Sequence, residues 1–195
     1  MKSKSAATAL FLAAVIMVGA IARAEQPPPE VVEAFQRYND ADTTCIIEKL
    51  IPFMVPADLG VYQRTMVYVI GMAVEEGVSL KVFGNHFRNA DSVADLMTID
   101  SASFYVGCNN WLMDAMPALK ETNRSIRKKL IGAINQSPDK VYLVYRADME
   151  ISGVSVSPMT ALIMKRVGSE WLASLEGTTD KIADQVWKIL MRNQK

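Results

Sequence analysis

From Val141 to Ile151 the chain alternates strictly. Val141, Leu143, Tyr145, Ala147, Met149 and Ile151 fall on one side, and Tyr142, Val144, Arg146, Asp148 and Glu150 on the other. A period of two fits a strand with one face covered and one face toward water. Ser152-Gly153 then offers a tight reversal, because glycine takes positive φ without steric cost. Pro158 to Arg166 resumes an apolar run, and Val167-Gly168-Ser169-Glu170 turns the chain into Trp171–Leu175. The stretch Lys128–Leu175 therefore reads as a curved antiparallel meander with one apolar face. Helices from elsewhere in the chain must cover that face.

The residues before the meander supply them. Glu25-Gln26-Pro27-Pro28-Pro29 is a stiff leader, and no helix starts before its last proline. Glu30 to Tyr38 carries Val31, Ala34, Phe35 and Tyr38 at helical spacing, with Glu30 and Glu33 in the favoured first turn. Asn39-Asp40-Ala41-Asp42 reads as an interruption, and Thr43 to Ile51 as a resumed helix that Pro52 and Pro56 end. Asp58 to Glu76 is a second helix with a broad stripe from Leu59 to Val74. Between Val78 and Asp100 no period holds, so this segment reads as a long connection, and it contains His86. Asp100 caps a helix to about Met116, with Phe104, Cys108, Trp111 and Leu112 on its apolar stripe. After Leu175, Thr178 or Thr179 opens a last helix with Ile182, Val186, Ile189 and Leu190 inward. Helices first, a meander next and one closing helix make the class α+β: N-terminal helices packed on a strongly curved antiparallel sheet with an added C-terminal helix.

The amino terminus speaks to compartment. Lys2 and Lys4 precede an apolar run from Ala6 to Ile21, and Ala22-Arg23-Ala24 places small residues where a signal peptidase reads. The run is shorter than the ~20 residues a membrane-spanning helix needs. The expectation is a signal peptide over residues 1–24, cut after Ala24, then a proline-rich leader over 25–29 and one α+β domain over 30–195. The product would be periplasmic or secreted, with no membrane partner after cleavage. The whole chain holds 21 basic and 21 acidic residues, and removing Lys2, Lys4 and Arg23 leaves the remainder slightly acidic. That balance excludes nucleic acid as a main partner, since such binding needs clustered positive charge. The densest basic group, Arg124, Arg127, Lys128 and Lys129, reads as a solvated face. Cys45 and Cys108 form an even count in an oxidising compartment, which favours a disulfide between them; two buried free thiols are the alternative.

The passage from Lys140 to Leu175, with its "VYR", its central Gly153-Val154-Ser155-Val156-Ser157 and its Lys165-Arg166-x-Gly168-x-x-Trp171 turn after a helical half, resembles exported members of the nuclear transport factor 2-like superfamily. The resemblance spans about Pro29 to Leu175. It implies a cone in which helices pack in the concave face of a bent sheet around a cavity. It also implies that the outer sheet face serves for homodimerisation. Enzymatic relatives place an Asp, His or Tyr pair deep in the cone, and no such pair matches here residue by residue.

Chemistry searched for without that resemblance is sparse. One histidine and scattered acids give no metal-ligand spacing, and there is no glycine-rich phosphate loop or nucleophile elbow, so no cofactor or metal is expected. Tyr105, Trp111, Tyr145 and His86 are the candidates to line a cavity, and core packing explains the aromatic ones equally. Asp40 and Asp42 could pair as carboxylates but read as turn residues. The favoured function is a non-enzymatic module that binds a small apolar ligand in the cone or a protein partner. Its partner face would include Tyr142, Val144 and Arg146 and could form a homodimer. The alternative is a cofactor-free isomerase or dehydratase in which Asp91, Asp100, Asp148 or His86 acts as general base.

Overall fold

In the computed structural model, residues 26–87, 89–151 and 153–192 are described. The expected leader over 1–24 with its cut after Ala24 lies outside them, as does Ser152 of the reversal. Helix α1 (Pro29–Thr43) begins at the last leader proline, whose missing N–H costs nothing in a first turn. It runs through Asn39-Asp40-Ala41-Asp42 without a break, because Ala41 is buried and carries the apolar stripe onward. The expected helix over Thr43–Ile51 is absent; 3-10 turns Ile47–Lys49 and Ile51–Phe53 stand there instead. Cys45 at the exit of α1 has φ 53°, a left-handed conformation that closes the helix and is costly for a side chain other than glycine.

Helix α2 (Pro56–Glu75) follows, then a kinked 3-10 segment Leu80–Phe87 that bends at Gly84, φ 53°. Helix α3 (Val93–Thr98) is opened by a reciprocal capping box between Ser92 and Asp95. The long connection thus has more order than its lack of period suggested. Helix α4 (Ser101–Ala115) starts at Asp100 as expected, with the Asp100 carboxylate accepting from the Ser103 N–H. Helix α5 (Pro117–Ser125) occupies what read as a lead-in to the strands.

The sheet is antiparallel: β1 (Arg127–Ser137), β2 (Lys140–Ile151), β3 (Val154–Val156), β4 (Met159–Val167) and β5 (Glu170–Ser174). The order is β1-β2-β4-β5, and β3 pairs only with the end of β2. Val141 and Leu143 are buried and Tyr145 half-buried against α1, so the strand faces the way its alternation predicts. Val144 departs from the expectation: in a central strand, between Gly132 and Ala161, it is buried at 8% exposure.

Two apolar clusters result. The sheet's inner cluster draws its helical members from α1 (Val31, Ala34, Phe35 and, at its margin, Tyr38). The other gathers α2, α3, α4 and the closing helix α6 (Thr179–Arg192), with Tyr62, Phe104, Met66 and Leu96 almost fully enclosed. Helix α6 packs on α2. Tyr38 touches both clusters. Among the described residues no helix is long and apolar enough to cross a membrane.

The expected disulfide is not formed: Cys45 and Cys108 are both free. Cys108 lies on the buried face of α4 and hydrogen-bonds Tyr62, while Cys45 sits in the turn after α1. Burial pushes the Cys108 thiol up to about 12, so it stays protonated and unreactive at neutral pH. The expected outcome of a thiol-reagent titration at pH 8 is slow reaction of Cys45 alone in the native protein. Both thiols should react after unfolding without reductant, and a count of zero there would restore the disulfide.

Candidate functional site

The face of α4 opposite its buried stripe carries Ala102, Ser103, Val106, Gly107 and Asn110, which share one side at spacings of three and four. This side floors a groove of about 460 Å³, closed by Glu48 and Ile51 from the 3-10 turns and by His86 from the kinked segment. Gly107 makes the arrangement possible. A Cβ at that position would stand 2.8 Å from Phe87 Cε1 and 3.1 Å from the His86 carbonyl oxygen. The missing side chain therefore lets the 80–87 segment close on α4 and sets the imidazole at the groove.

The rim is polar and acidic. His86 Nε2 lies 3.0 Å from Asp114 Oδ2 one helical turn beyond the floor, and Asn110 Nδ2 donates to Glu48 Oε1 at 3.5 Å. The imidazole side chain is 25% exposed, so it can reach a bound molecule. Among the described residues no lysine or arginine lines the groove. Such a site suits a molecule with an apolar body and a neutral or cationic hydrogen-bond donor.

The other expected cavity residues lie elsewhere. Trp111 is 4% exposed, its ring 4.7 Å from Phe83 and its Nε1 donating to Val82 O at 3.1 Å. Tyr105 is 6% exposed and meets Tyr62 edge-on at 4.9 Å. Both are core. Tyr145 leans on Phe35 at 5.8 Å. Of the weighed acids, Asp100 is tied up as a helix cap, which holds its carboxyl below the usual range. Asp148 is lowered by hydrogen bonds from Ser157 and Arg146. Asp91 is exposed, its N–H donating to Asp95 Oδ2. None stands in a desolvated pocket, as a raised general base requires.

Sequence reasoning missed a buried polar seam between the two clusters. Lys128, read as part of a solvated basic face, has a side chain only 10% exposed and pairs with Asp42. Its ammonium also lies 5.5 Å from the Tyr38 ring centre and 5.8 Å from that of Tyr145. Burial, then the Asp42 carboxylate, raises the Tyr38 and Tyr105 phenols well above their ordinary value. Lys128 lies near the start of β1, 86 residues from its carboxylate, so the pairing leaves no local signal. On the outer sheet face, Tyr142 pairs with Ile163 and Arg146 with Met159. Arg146 is held by Asp148, Nε to Oδ1 2.8 Å, and Val144 is too enclosed to offer a partner much surface.

Comparison of the chain with family models, with curated proteins and with solved structures gives no match.

Proposed function

We propose that this chain is an exported, non-enzymatic binding module that holds a small amphipathic molecule in the groove beside α4. The apolar part would rest on Ile51, Ala102 and Val106, with a donor group toward Glu48 and the His86–Asp114 pair. The observation that carries this reading is the glycine contact at Gly107, which brings a polar pair over an apolar floor. Export rests on the amino-terminal pattern alone. A cone of the nuclear transport factor 2-like kind draws support from α1 crossing the inner face of an antiparallel sheet, although the groove lies in the helical half. A protein partner on the outer sheet face would rest on Tyr142, Ile163 and Met159, the last 46% exposed.

The test is a titration of the folded protein with a set of small primary amines and neutral amphipathic compounds, followed through backbone amide resonances. Shifts are expected at Val106, Gly107 and Asn110, and Glu48→Ala should weaken binding about tenfold, the worth of one charge-assisted hydrogen bond. Shifts confined to other elements, or unchanged affinity in the variant, would overturn the reading.

One observation favours a second reading. A histidine oriented by a carboxylate beside a hydroxyl, here His86, Asp114 and Ser103 at one groove, is the arrangement of a general base. His86→Gln separates the two: a binding module keeps most of its affinity, whereas an isomerase or dehydratase loses turnover while still binding.

A further inference from the structure

His86 is the chain's only histidine, and its ring lies along the groove in a fixed direction. Nε2 stands 3.0 Å from Asp114 Oδ2. An ionised carboxylate can only accept, so in the neutral ring Nε2 carries the proton and Nδ1 keeps a lone pair. The backbone end of the residue is at Gly107, where an added Cβ would meet the His86 carbonyl oxygen at 3.1 Å, and the far end reaches Asp114 about two turns further along α4. Nδ1 belongs to the half of the ring nearer the backbone, and hence to the half beside the floor residues Gly107 and Asn110. Two more acceptors line the same groove. Asn110 spends its Nδ2 on Glu48 Oε1 at 3.5 Å, which leaves its amide oxygen, and Glu48 has a second carboxylate oxygen. One acceptor on His86 and another on Asn110 or Glu48, beside the apolar Ile51, Ala102 and Val106, suit a head group that donates twice.

We infer, on the reading of this groove as the binding site, that Asp114 is a positioning residue which makes His86 an acceptor, so that the groove selects an amphipathic molecule whose head group carries at least two N–H donors, a primary amine or an amidine. A quaternary ammonium of the same charge has no N–H to give, and a carboxylate sets lone pairs against lone pairs. Without Asp114 the ring is free to turn or to carry its proton on Nδ1, and an Nδ1–H would then face the N–H of the ligand. The Asp114 side chain is 66% exposed, so replacing it leaves the core as it is.

The experiment follows the imidazole nitrogens by NMR at pH 8 in the folded protein and in Asp114→Ala, with benzylamine and benzyltrimethylammonium as probes. A single histidine makes the ring signals unambiguous. The parent ring is expected with Nε2 protonated and Nδ1 bare; benzylamine should move the Nδ1 resonance and benzyltrimethylammonium should leave it in place. Benzylamine should bind about tenfold tighter, and Asp114→Ala should cut that ratio to below about threefold, a comparison in which the difference in probe size cancels. Asp114→Glu should restore part of the ratio. A parent ring protonated on Nδ1, an Nδ1 resonance that benzylamine leaves unmoved while the amides of Val106 and Gly107 shift, or an unchanged ratio in Asp114→Ala overturns the inference and leaves the groove standing. Absence of amide shifts at Val106, Gly107 and Asn110 with either probe overturns both. The parent spectrum decides the first of these points even if a variant folds poorly.

Discussion

Trp111→Ala is expected to lower the free energy of unfolding by about 3–5 kcal/mol, the usual cost of deleting a large aromatic from a core. For a chain of this size that corresponds to a fall in melting temperature of roughly 6–20 °C. The ring fills space between α4 and the 80–87 segment, 4.7 Å from Phe83, and its Nε1 satisfies the Val82 carbonyl at 3.1 Å. Truncation therefore leaves a cavity and an unpaired acceptor together. Trp111→Phe separates these, restoring most of the volume but not the hydrogen bond, and should recover more than half of the loss. Thermal or urea unfolding of the three proteins decides it. A melting curve for Trp111→Ala like that of the parent would move Trp111 out of the core and back among residues that line a ligand site.

What the sequence showed depends on whether the deciding interaction is local. The face of β2 was legible because a period of two is a property of consecutive residues, and the start of α1 because Pro29 forbids an earlier one. The Asp100 cap was legible for the same reason, since donor and acceptor are three residues apart. Continuation of α1 past Asn39 was not, because polar residues there look like a break until Ala41 is seen buried. Strand β1 was legible only as the opening of the Lys128–Leu175 meander, because Gly132, Asn135 and Gln136 stand at positions where a strand signal needs β-branched residues. The site was legible only in part. His86 stood out as the lone histidine, but its partner Asp114 is 28 residues away. Gly107 matters only because of what packs on it. Gln63 is a further case: its side chain ties α2 to Leu96 O at 2.9 Å, Ile99 O at 2.7 Å and Ser101 Oγ at 2.7 Å, contacts that no window of sequence contains.

The other large effect is expected at Asp58, where the helical cluster is fastened to the sheet. Its carboxylate, in the first turn of α2, accepts from the Leu175 N–H at 3.0 Å, from Lys165 Nζ at 3.4 Å and from Ser174 Oγ. Ser174 is 4% exposed, so its hydroxyl has little water to turn to if the acceptor is lost. Lys165 keeps a second partner in Glu176, at 3.1 Å, and Glu176 also receives Lys140 at 2.6 Å. Those two lysines hold the Glu176 carboxyl below its ordinary range, but the group is exposed and the pairing is a weak substitute. Asp58→Ala thus removes three acceptances in one step and should cost about 2–4 kcal/mol. Asp58→Asn, which can still accept from Ser174 and Leu175, should cost less than half of that. The form of the transition tells more than its midpoint. The two clusters meet through Tyr38, the Lys128–Asp42 pair, the Met54–Ala173 bridge and this clamp, so cutting the clamp should loosen the coupling of their unfolding. Calorimetry of Asp58→Ala should then show a van't Hoff enthalpy below the calorimetric one, with amides of β4 and β5 exchanging before those of α2 and α4. A single sharp transition at an unchanged midpoint would mean that the other contacts join the helices to the sheet without Asp58.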